Sequence, residues 1–198
     1  GMTLIENGIY AGRSLKSLLD LLGVDLVGTN NQWALDLGKF PLLVKLLDSH
    51  QKLSVQVHPG DDYAREHENG ELGKTEMWVV LDASPGAAII YGLSEETSRE
   101  DLRRAIATGN LKAFLHQVPV QRGDHICVPS GTLHAILEGA VIAEIQQNSN
   151  VTYRVFDWNR GDDDGQPRTL HVDRALDVIN YEQVASALPD PQILKENP

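Results

Sequence analysis

The chain has 198 residues, of which 41% are hydrophobic, and its formal net charge is −11. This length predicts one domain that buries about 70% of the surface of its extended chain. An acidic chain lacks the basic surface that nucleic acids and anionic membranes attract, so we expect neither as a partner. A single cysteine, Cys127, excludes an internal disulfide, and no apolar run approaches the roughly 18 residues that cross a bilayer. We therefore predict a cytoplasmic protein.

The hydrophobic pattern predicts a single, mainly β domain over residues 1–198 with a few peripheral helices. The dipeptide Asn7-Gly8 favours a hairpin, and Ser14 is positioned to cap a helix with a leucine stripe. Four segments follow one another: a hairpin and helix over 2–38, the strands of a barrel over 40–158, helices over 170–188 and a loose tail over 189–198.

Two early segments have the pattern of barrel strands. Phe40 to Leu47 is nearly all apolar, which predicts a strand buried on both faces and interrupted only by Lys45. Leu53 to His58 alternates instead, so that the side chains of Ser54, Gln56 and His58 share one face. Three polar groups inside a barrel need hydrogen-bond partners or a metal ion.

Later strands add further polar groups to the same interior. The run from Lys74 to Leu81 alternates so that Lys74, Glu76 and Trp78 face one way. Taken alone, Glu76 and Lys74 are explained by an ion pair. The run from Val141 to Gln146 also alternates, and it places Glu144 and Gln146 on one face.

A sharp corner between two short predicted strands is followed by one more histidine. Gly123 precedes the first strand, Pro129 and Gly131 force the bend, and His134 follows at the spacing G-x5-P-x-G-x2-H. This spacing resembles the second signature of the cupins, which are jelly-roll (double-stranded β-helix) barrels whose histidine points inward at a metal.

These strands supply a candidate ligand set for a divalent ion. Gln56, His58, Glu76 and His134 offer an amide oxygen, two imidazoles and a carboxylate. Such a set suits Zn²⁺ and leaves positions open to water or substrate. His58 alone is explained by a hydrogen-bonded core histidine, whereas the joint pattern favours a metal site.

The chain resembles a particular family of the cupin superfamily, type I mannose-6-phosphate isomerase (phosphomannose isomerase). The resemblance runs from about Asn7 to Ile179. The strings that carry it, in order, are LSVQVHP (53–59), GKTEMW (73–78), PSGTLH (129–134), EIQQN (144–148) and Thr152-Tyr153-Arg154.

The resemblance implies roles for individual residues. The metal ligands, for one Zn²⁺ per chain or another divalent metal, are Gln56, His58, Glu76 and His134. The catalytic residues that it implies are Arg154, Lys74 and Glu144, and the substrate-binding residues are Ser54, Lys74 and Arg154.

The activity that the resemblance implies is the interconversion of mannose 6-phosphate and fructose 6-phosphate through an enediol. Arg154 suits the negative charge that develops on oxygen, although a salt bridge at the barrel rim with Asp157 or with an acidic loop also explains this arginine. The base stays open between Lys74, Glu144, a group at the metal and a ligand histidine.

Complete bacterial members, as the resemblance implies, carry an N-terminal Trp-Gly-Gly segment and a second cupin-like half that these residues lack. We therefore expect a short single-cupin form. Either a second copy covers the open barrel face in a homodimer, which we favour, or the site is open and its activity altered.

Two other functions stay open at this point. The first is a cupin without catalysis, or with altered activity, that binds a sugar or sugar phosphate. The second is another cupin enzyme, such as an iron-dependent dioxygenase. The second is disfavoured by Gln56, which stands where such cupins carry their first histidine.

Overall fold

The computed structural model describes residues 3–161 and 165–182. The helices are α1 (Leu15–Leu22), α2 (Val24–Val27), α3 (Trp33–Asp36), α4 (Asp61–His67), α5 (Arg99–Ala107) and α6 (Val172–Val178). The strands are β1 (Leu42–Asp48), β2 (Val55–Val57), β3 (Glu76–Ala83), β4 (Ala88–Leu93), β5 (Leu115–Pro119), β6 (His125–Val128), β7 (His134–Ile136), β8 (Ala140–Gln147) and β9 (Tyr153–Phe156). Short 3-10 turns occupy Thr29–Asn31 and Leu111–Phe114. The mainly β prediction is confirmed.

The strands form two antiparallel sheets. One sheet has the order β1-β8-β3-β6, and the other has the order β5-β4-β7-β2-β9. Neighbours in each sheet are distant in sequence, so residues far apart in the chain meet across one interior. None of the helices in the described ranges combines the length and apolar character needed to cross a membrane.

The chain divides into two compact units, residues 1–43 and 44–198. The prediction of one domain over 1–198 stays a prediction. Of the predicted C-terminal helices over 170–188, α6 is present, whereas residues 183–188 of the second predicted helix and the tail over 189–198 lie outside the described residues.

The N-terminal unit contains the predicted helix, and the segments on either side of Asn7-Gly8 pair without the predicted two-residue turn. The hydroxyl of Ser14 accepts a hydrogen bond from the backbone N–H of Ser17 at 3.1 Å and so caps α1. Instead of a two-residue turn at Asn7-Gly8, an antiparallel bridge pairs Leu4 with Ser14, and the N–H of Ile5 donates to Arg13 O at 2.9 Å. Ile9, within the longer loop, is 90% exposed.

Strand β1 is not buried on both faces, as its apolar sequence suggested. Its exposure alternates along the strand: Leu42, Val44 and Leu46 are exposed, whereas Lys45 is partly buried on the opposite face. The error has a simple cause, since apolar residues on the outer face of a sheet look the same in sequence as residues of a core.

The interior between the sheets is polar at one end and apolar at the other. Glu76, Trp78 and Val80 of β3 point inward and lie opposite Gln146, Glu144 and Ile142 of β8. The apolar end is completed by Ile89, Val118, Ile126, Val128, Ile136 and Ala140. The polar groups are therefore collected at one end of the interior.

A second apolar cluster covers the outer face of the five-stranded sheet. Val55, Val57 and Tyr153 from that sheet pack against Leu102 of α5 and Leu176 of α6. This cluster anchors β2 and β9, the strands on which several predicted site residues lie.

Two glycine segments dock on the backbone corner that follows His58. A side chain at Gly73 would place its Cβ 2.5 Å from the backbone of Gly60 and Asp61, and the N–H of Lys74 donates to Pro59 O at 3.0 Å. Gly131, with φ of +84°, donates its N–H to His58 O at 2.8 Å. The starts of β3 and β7 are thereby held beside the end of β2.

Candidate metal centre

Three buried side chains meet where β2, β3 and β7 come together. His58 follows β2, Glu76 begins β3 and His134 begins β7, and each is about 1% exposed. His58 Nε2 lies 3.2 Å from Glu76 Oε1, and His134 Nε2 lies 3.8 Å from Glu76 Oε2. One ligand atom from each residue falls within 4.8 Å of the others, which makes the three a candidate metal site.

Backbone carbonyls fix the orientation of both imidazoles. The Nδ1–H group of His58 donates to Val151 O at 2.9 Å, and that of His134 donates to Thr132 O at 2.8 Å. Since a carbonyl oxygen only accepts, the proton sits on Nδ1 and each Nε2 presents its lone pair. Metal-binding histidines commonly use this arrangement to set their tautomer.

Two buried atoms of the cluster lack a hydrogen-bond partner within the described residues. They are His58 Nε2 and Glu76 Oε1. Glu76 Oε1 lies 2.9 Å from Lys74 Nζ, but this contact has ion-pair distance without hydrogen-bond geometry. Buried polar atoms without partners are costly, and a divalent cation would satisfy both at once. The residues present therefore fit a metal ion.

The protonation states of the cluster also suit a cation. Burial lowers the pKa of His58 to about 3, although the neighbouring carboxylate of Glu76 opposes the shift. Burial likewise lowers the pKa of His134. For Glu76, burial acts to raise the pKa, but His58, His134 and Lys74 outweigh it and hold the pKa well below its usual range. The cluster thus presents two neutral imidazoles and a carboxylate, which are the ligand forms that metals bind.

Gln56, the fourth predicted ligand, lies beside the cluster, and its amide nitrogen rather than its oxygen is turned toward His134. Its Nε2 lies 3.4 Å from His134 Nε2, while its Oε1 accepts from the hydroxyl of Ser54 at 3.4 Å. An amide binds cations through oxygen, so coordination by Gln56 requires the amide group to turn by about 180°. Its role as a ligand stays a prediction.

Ser54 connects Gln56 to Arg154. The Nε–H group of Arg154 donates to the hydroxyl of Ser54 at 3.3 Å, and its Nη1 donates to Thr169 O at 3.0 Å. Burial lowers the pKa of Arg154, and the nearby positive charges of Arg168 and Arg160 lower it further.

The alternative that Arg154 is a rim salt bridge with Asp157 is not what the structure contains. Asp157 is instead bound by Arg160 at 2.6 Å and by Arg168. Among the described residues, the side-chain hydrogen bonds of Arg154 go to Ser54 and Thr169. Within residues 3–161 and 165–182, no carboxylate is recorded in an ion pair with Arg154.

The structure adds Lys45, whose role the sequence pattern did not indicate. Its Nζ donates to Glu144 Oε1 at 2.9 Å and also to Gln146 Oε1. Gln146 is fixed in turn, since its amide donates to Gln147 O at 2.9 Å and Ser149 O at 3.0 Å. The two-residue period of a strand could have indicated this role. Lys45 lies between Val44 and Leu46, which are exposed, so its side chain points to the opposite, inner face.

The predicted catalytic and substrate-binding residues thus lie in the same interior. Lys74 contacts Glu76, Glu144 faces inward beside Lys45, and Ser54 and Arg154 adjoin Gln56. The charge of Glu144 acts on His134. The structure brings these side chains together, and their chemical roles stay predictions.

Two antiparallel sheets around a buried histidine and glutamate cluster define this chain as a cupin. Residues 5–80 match the model of the family "Phosphomannose isomerase type I, catalytic domain". The chain is 47% identical over 189 residues to the mannose-6-phosphate isomerase of Streptococcus mutans, covering 96% of this chain and 57% of that protein. It is 43% identical over 188 residues to the probable mannose-6-phosphate isomerase GmuF of Bacillus subtilis, covering 93% of this chain and 56% of that protein.

A solved structure agrees with these sequence matches. The crystal structure of the mannose 6-phosphate isomerase from Bacillus subtilis superposes with a TM-score of 0.82 at 40% identity, covering 96% of this chain and 57% of that one. The chain is a relative of the type I mannose-6-phosphate isomerases, and the resemblance seen in its motifs is confirmed. It spans a little over half the length of the curated relatives that it matches.

Replacing His134 with alanine should release the metal and leave the barrel folded, because the change removes one imidazole that carries no sheet pairing. We expect metal content to fall from one ion per chain to a small fraction, measured by elemental analysis after dialysis, with unchanged far-ultraviolet circular dichroism. An exposed histidine outside the centre, His50, provides the matched control as His50→Ala. Full metal content in the His134 variant would mean that the ligand assignment is wrong.

The metal-free protein should lose stability as the pH falls from about 7 to about 5. The folded pKa of His58, about 3, lies below the ordinary value of 6.5, so in this window the unfolded chain binds a proton that the folded chain excludes. Stability then rises with pH by up to about 1.4 kcal/mol per pH unit for each such histidine.

Urea unfolding of the chelated protein at the two pH values measures this slope. The variant His58→Gln should have a shallower slope than the parent, whereas His50→Gln should keep it. Equal slopes for the parent and the His58 variant would contradict the assignment of the slope to this buried imidazole.

Proposed function

We propose that this chain carries the active site of a metal-dependent mannose-6-phosphate isomerase, which interconverts mannose 6-phosphate and fructose 6-phosphate through an enediol. The observation that supports this most strongly is the continuous polar path from the His58, Glu76 and His134 cluster through Gln56 and Ser54 to Arg154. Relatives 41–47% identical to the chain are named mannose-6-phosphate isomerases.

The metal that we propose is one Zn²⁺ per chain. His58, Glu76 and His134 would hold it, together with Gln56 once its amide oxygen faces inward; three or four nitrogen and oxygen ligands suit this ion. When bound, a divalent cation supplies electrophilic polarisation of sugar oxygens.

The charge balance of the interior supports an anionic substrate. The carboxylates of Glu76 and Glu144 are matched by the ammonium groups of Lys74 and Lys45, at 2.9 Å in both pairs. Arg154 adds a positive charge without a carboxylate partner among the described residues. The excess positive charge suits a sugar phosphate and the oxyanion that forms during isomerisation.

Isomerisation through an enediol removes a proton from one of the carbons C1 and C2 and returns a proton to the other, so it needs a base within hydrogen-bond reach. Lys74 and Glu144 are the two protein groups that we propose for this proton transfer. Ser54 and Arg154 are proposed to bind the substrate, with Arg154 stabilising the developing charge.

A cupin that binds a sugar phosphate without turnover is the weaker alternative. It would need the metal cluster and the substrate charges, but no base. The presence of Lys74 and Glu144 in the same interior favours catalysis.

The metal-loaded protein should convert fructose 6-phosphate to mannose 6-phosphate. A coupled assay specific for the aldose measures this conversion. Replacing Arg154 with glutamine should lower kcat/KM by about 100- to 1000-fold, because it removes a charge that stabilises the transition state. Arg104→Gln, which removes an exposed arginine on α5, is the control. Sugar phosphate binding by calorimetry without any turnover of hexose phosphates would replace catalysis with the binding function.

We also propose that the exposed face of the four-stranded sheet binds a second copy of this chain. Leu46 is 75% exposed and Val44 62%, and Met77 and Leu81 continue this apolar face on β3. The other sheet has its outer face covered by α5 and α6. Large exposed apolar faces mark interaction sites, and β1 is an edge strand open to pairing.

The size of this face suits a dimer. Three strands of seven to eight residues and a fourth, β6, of four residues lie about 4.8 Å apart and span at most roughly 19 by 25 Å, so two copies would bury somewhat less than about 1,000 Å². That area is near the lower limit for a specific interface.

The cytoplasmic location stays a prediction.

Sedimentation velocity at micromolar concentration should show a dimer. Leu46→Glu should produce monomers, because it places a charge at a strongly exposed apolar position of this face, whereas Ile9→Glu, at a still more exposed position outside the sheet, should keep the dimer. A parent protein that sediments only as a monomer would remove this proposal.

A further inference from the structure

We propose that Trp78 is a positioning residue of the metal centre, whose indole N–H sets the orientation of the Glu76 carboxylate. The inference rests on the candidate metal site, and it is tested by metal binding rather than by turnover. No role in the site was assigned to Trp78 by its motif.

A direct hydrogen bond joins the two residues inside the sheet interior. Trp78 Nε1–H donates to Glu76 Oε2 at 2.9 Å, and both side chains are about 1% exposed. The two residues are separated by one position on β3, so their side chains point to the same face. The pairing is therefore built into the strand.

This bond leaves the two oxygens of the carboxylate in different environments. Oε2 accepts from the indole, whereas Oε1 faces His58 Nε2 at 3.2 Å and has no hydrogen bond. A carboxylate free to rotate would exchange the two oxygens. The indole fixes which one is turned toward His58, as partners of metal ligands commonly do.

The indole itself is held rigidly by the apolar end of the interior. Trp78 packs in the same cluster as Val80, Ile126 and Ile142, and it lies directly opposite Ile126 of β6. Its ring also meets the His134 ring edge-on, with centroids 5.5 Å apart and planes at 73°. Trp78 thus contacts two of the three candidate ligands from a fixed support.

A simpler account is that a buried indole N–H needs any acceptor and that Glu76 happens to supply one. In that case Trp78 contributes packing, and loss of its N–H changes stability but not the metal site. The two accounts differ in what happens to metal affinity and to the coordination of the ion.

The first experiment compares Trp78→Phe with Trp158→Phe, using Zn²⁺ titrated into chelated protein by calorimetry. Trp158 is the matched control, since its indole N–H also donates to an oxygen, Leu53 O at 2.7 Å, outside the centre. We expect Trp78→Phe to weaken Zn²⁺ binding by about 10- to 100-fold and Trp158→Phe to change it by less than about twofold. Equal affinity in the parent and Trp78→Phe would overturn the proposal.

A double-mutant cycle separates positioning from packing. In a Glu76→Ala background, Trp78→Phe should cause no further loss of Zn²⁺ affinity, because the group that the indole orients is absent. The same fold-loss in both backgrounds would show that Trp78 acts through packing. Co²⁺ absorption adds a signature of coordination: we expect changed visible bands in Trp78→Phe and unchanged bands in Trp158→Phe.

A measurement on the parent protein avoids any folding defect of the variants. The chain has three tryptophans and so three indole N–H signals in a ¹⁵N spectrum. The signal of Trp78 should shift when Zn²⁺ is added, and that of Trp158 should stay in place. If the chemical shift of the Trp78 indole did not change on addition of Zn²⁺, this would contradict the proposal even if Trp78→Phe failed to fold.

Discussion

The buried carboxylate of Glu76 is the group on which the rest of the site depends. A carboxylate with almost no solvent exposure is stable only if its charge is met, and here Lys74, Trp78 and the two imidazoles surround it. Their arrangement satisfies one oxygen and leaves the other, together with His58 Nε2, without a hydrogen bond. The interior is thus built around a charge whose unbonded oxygen, beside His58 Nε2, fits a metal ion.

Alternation along the strands predicted much of this interior. The polar faces of residues 54–58 and 74–78 and the corner before His134 were visible in the sequence, because the period of a strand is two and glycine and proline mark corners. The depth at which β1 is buried was not visible, since Leu42, Val44 and Leu46 are as apolar as any core residue. For the same reason, Lys45 appeared as an interruption of β1 and not as the partner of Glu144.

Contacts between segments that are distant in the chain could not be predicted from the sequence pattern. The docking of Gly73 and Gly131 on the corner after His58 depends on backbone fit, which composition does not encode. The turn signal at Asn7-Gly8 likewise did not reveal that the flanking segments pair over a longer loop, through the bridge between Leu4 and Ser14. Residue type thus indicated which groups carry chemistry, whereas their mutual distances required the fold.

The corner after His58 also has a consequence for how the protein folds. The candidate ligands come from residues 58, 76 and 134, and they meet only after the chain has closed loops of very different length around that corner. No partial structure of the early strands contains the complete cluster. A metal ion that needs all three ligands would therefore bind only after β2, β3 and β7 have come together, and such assembly of strands distant in sequence is slow.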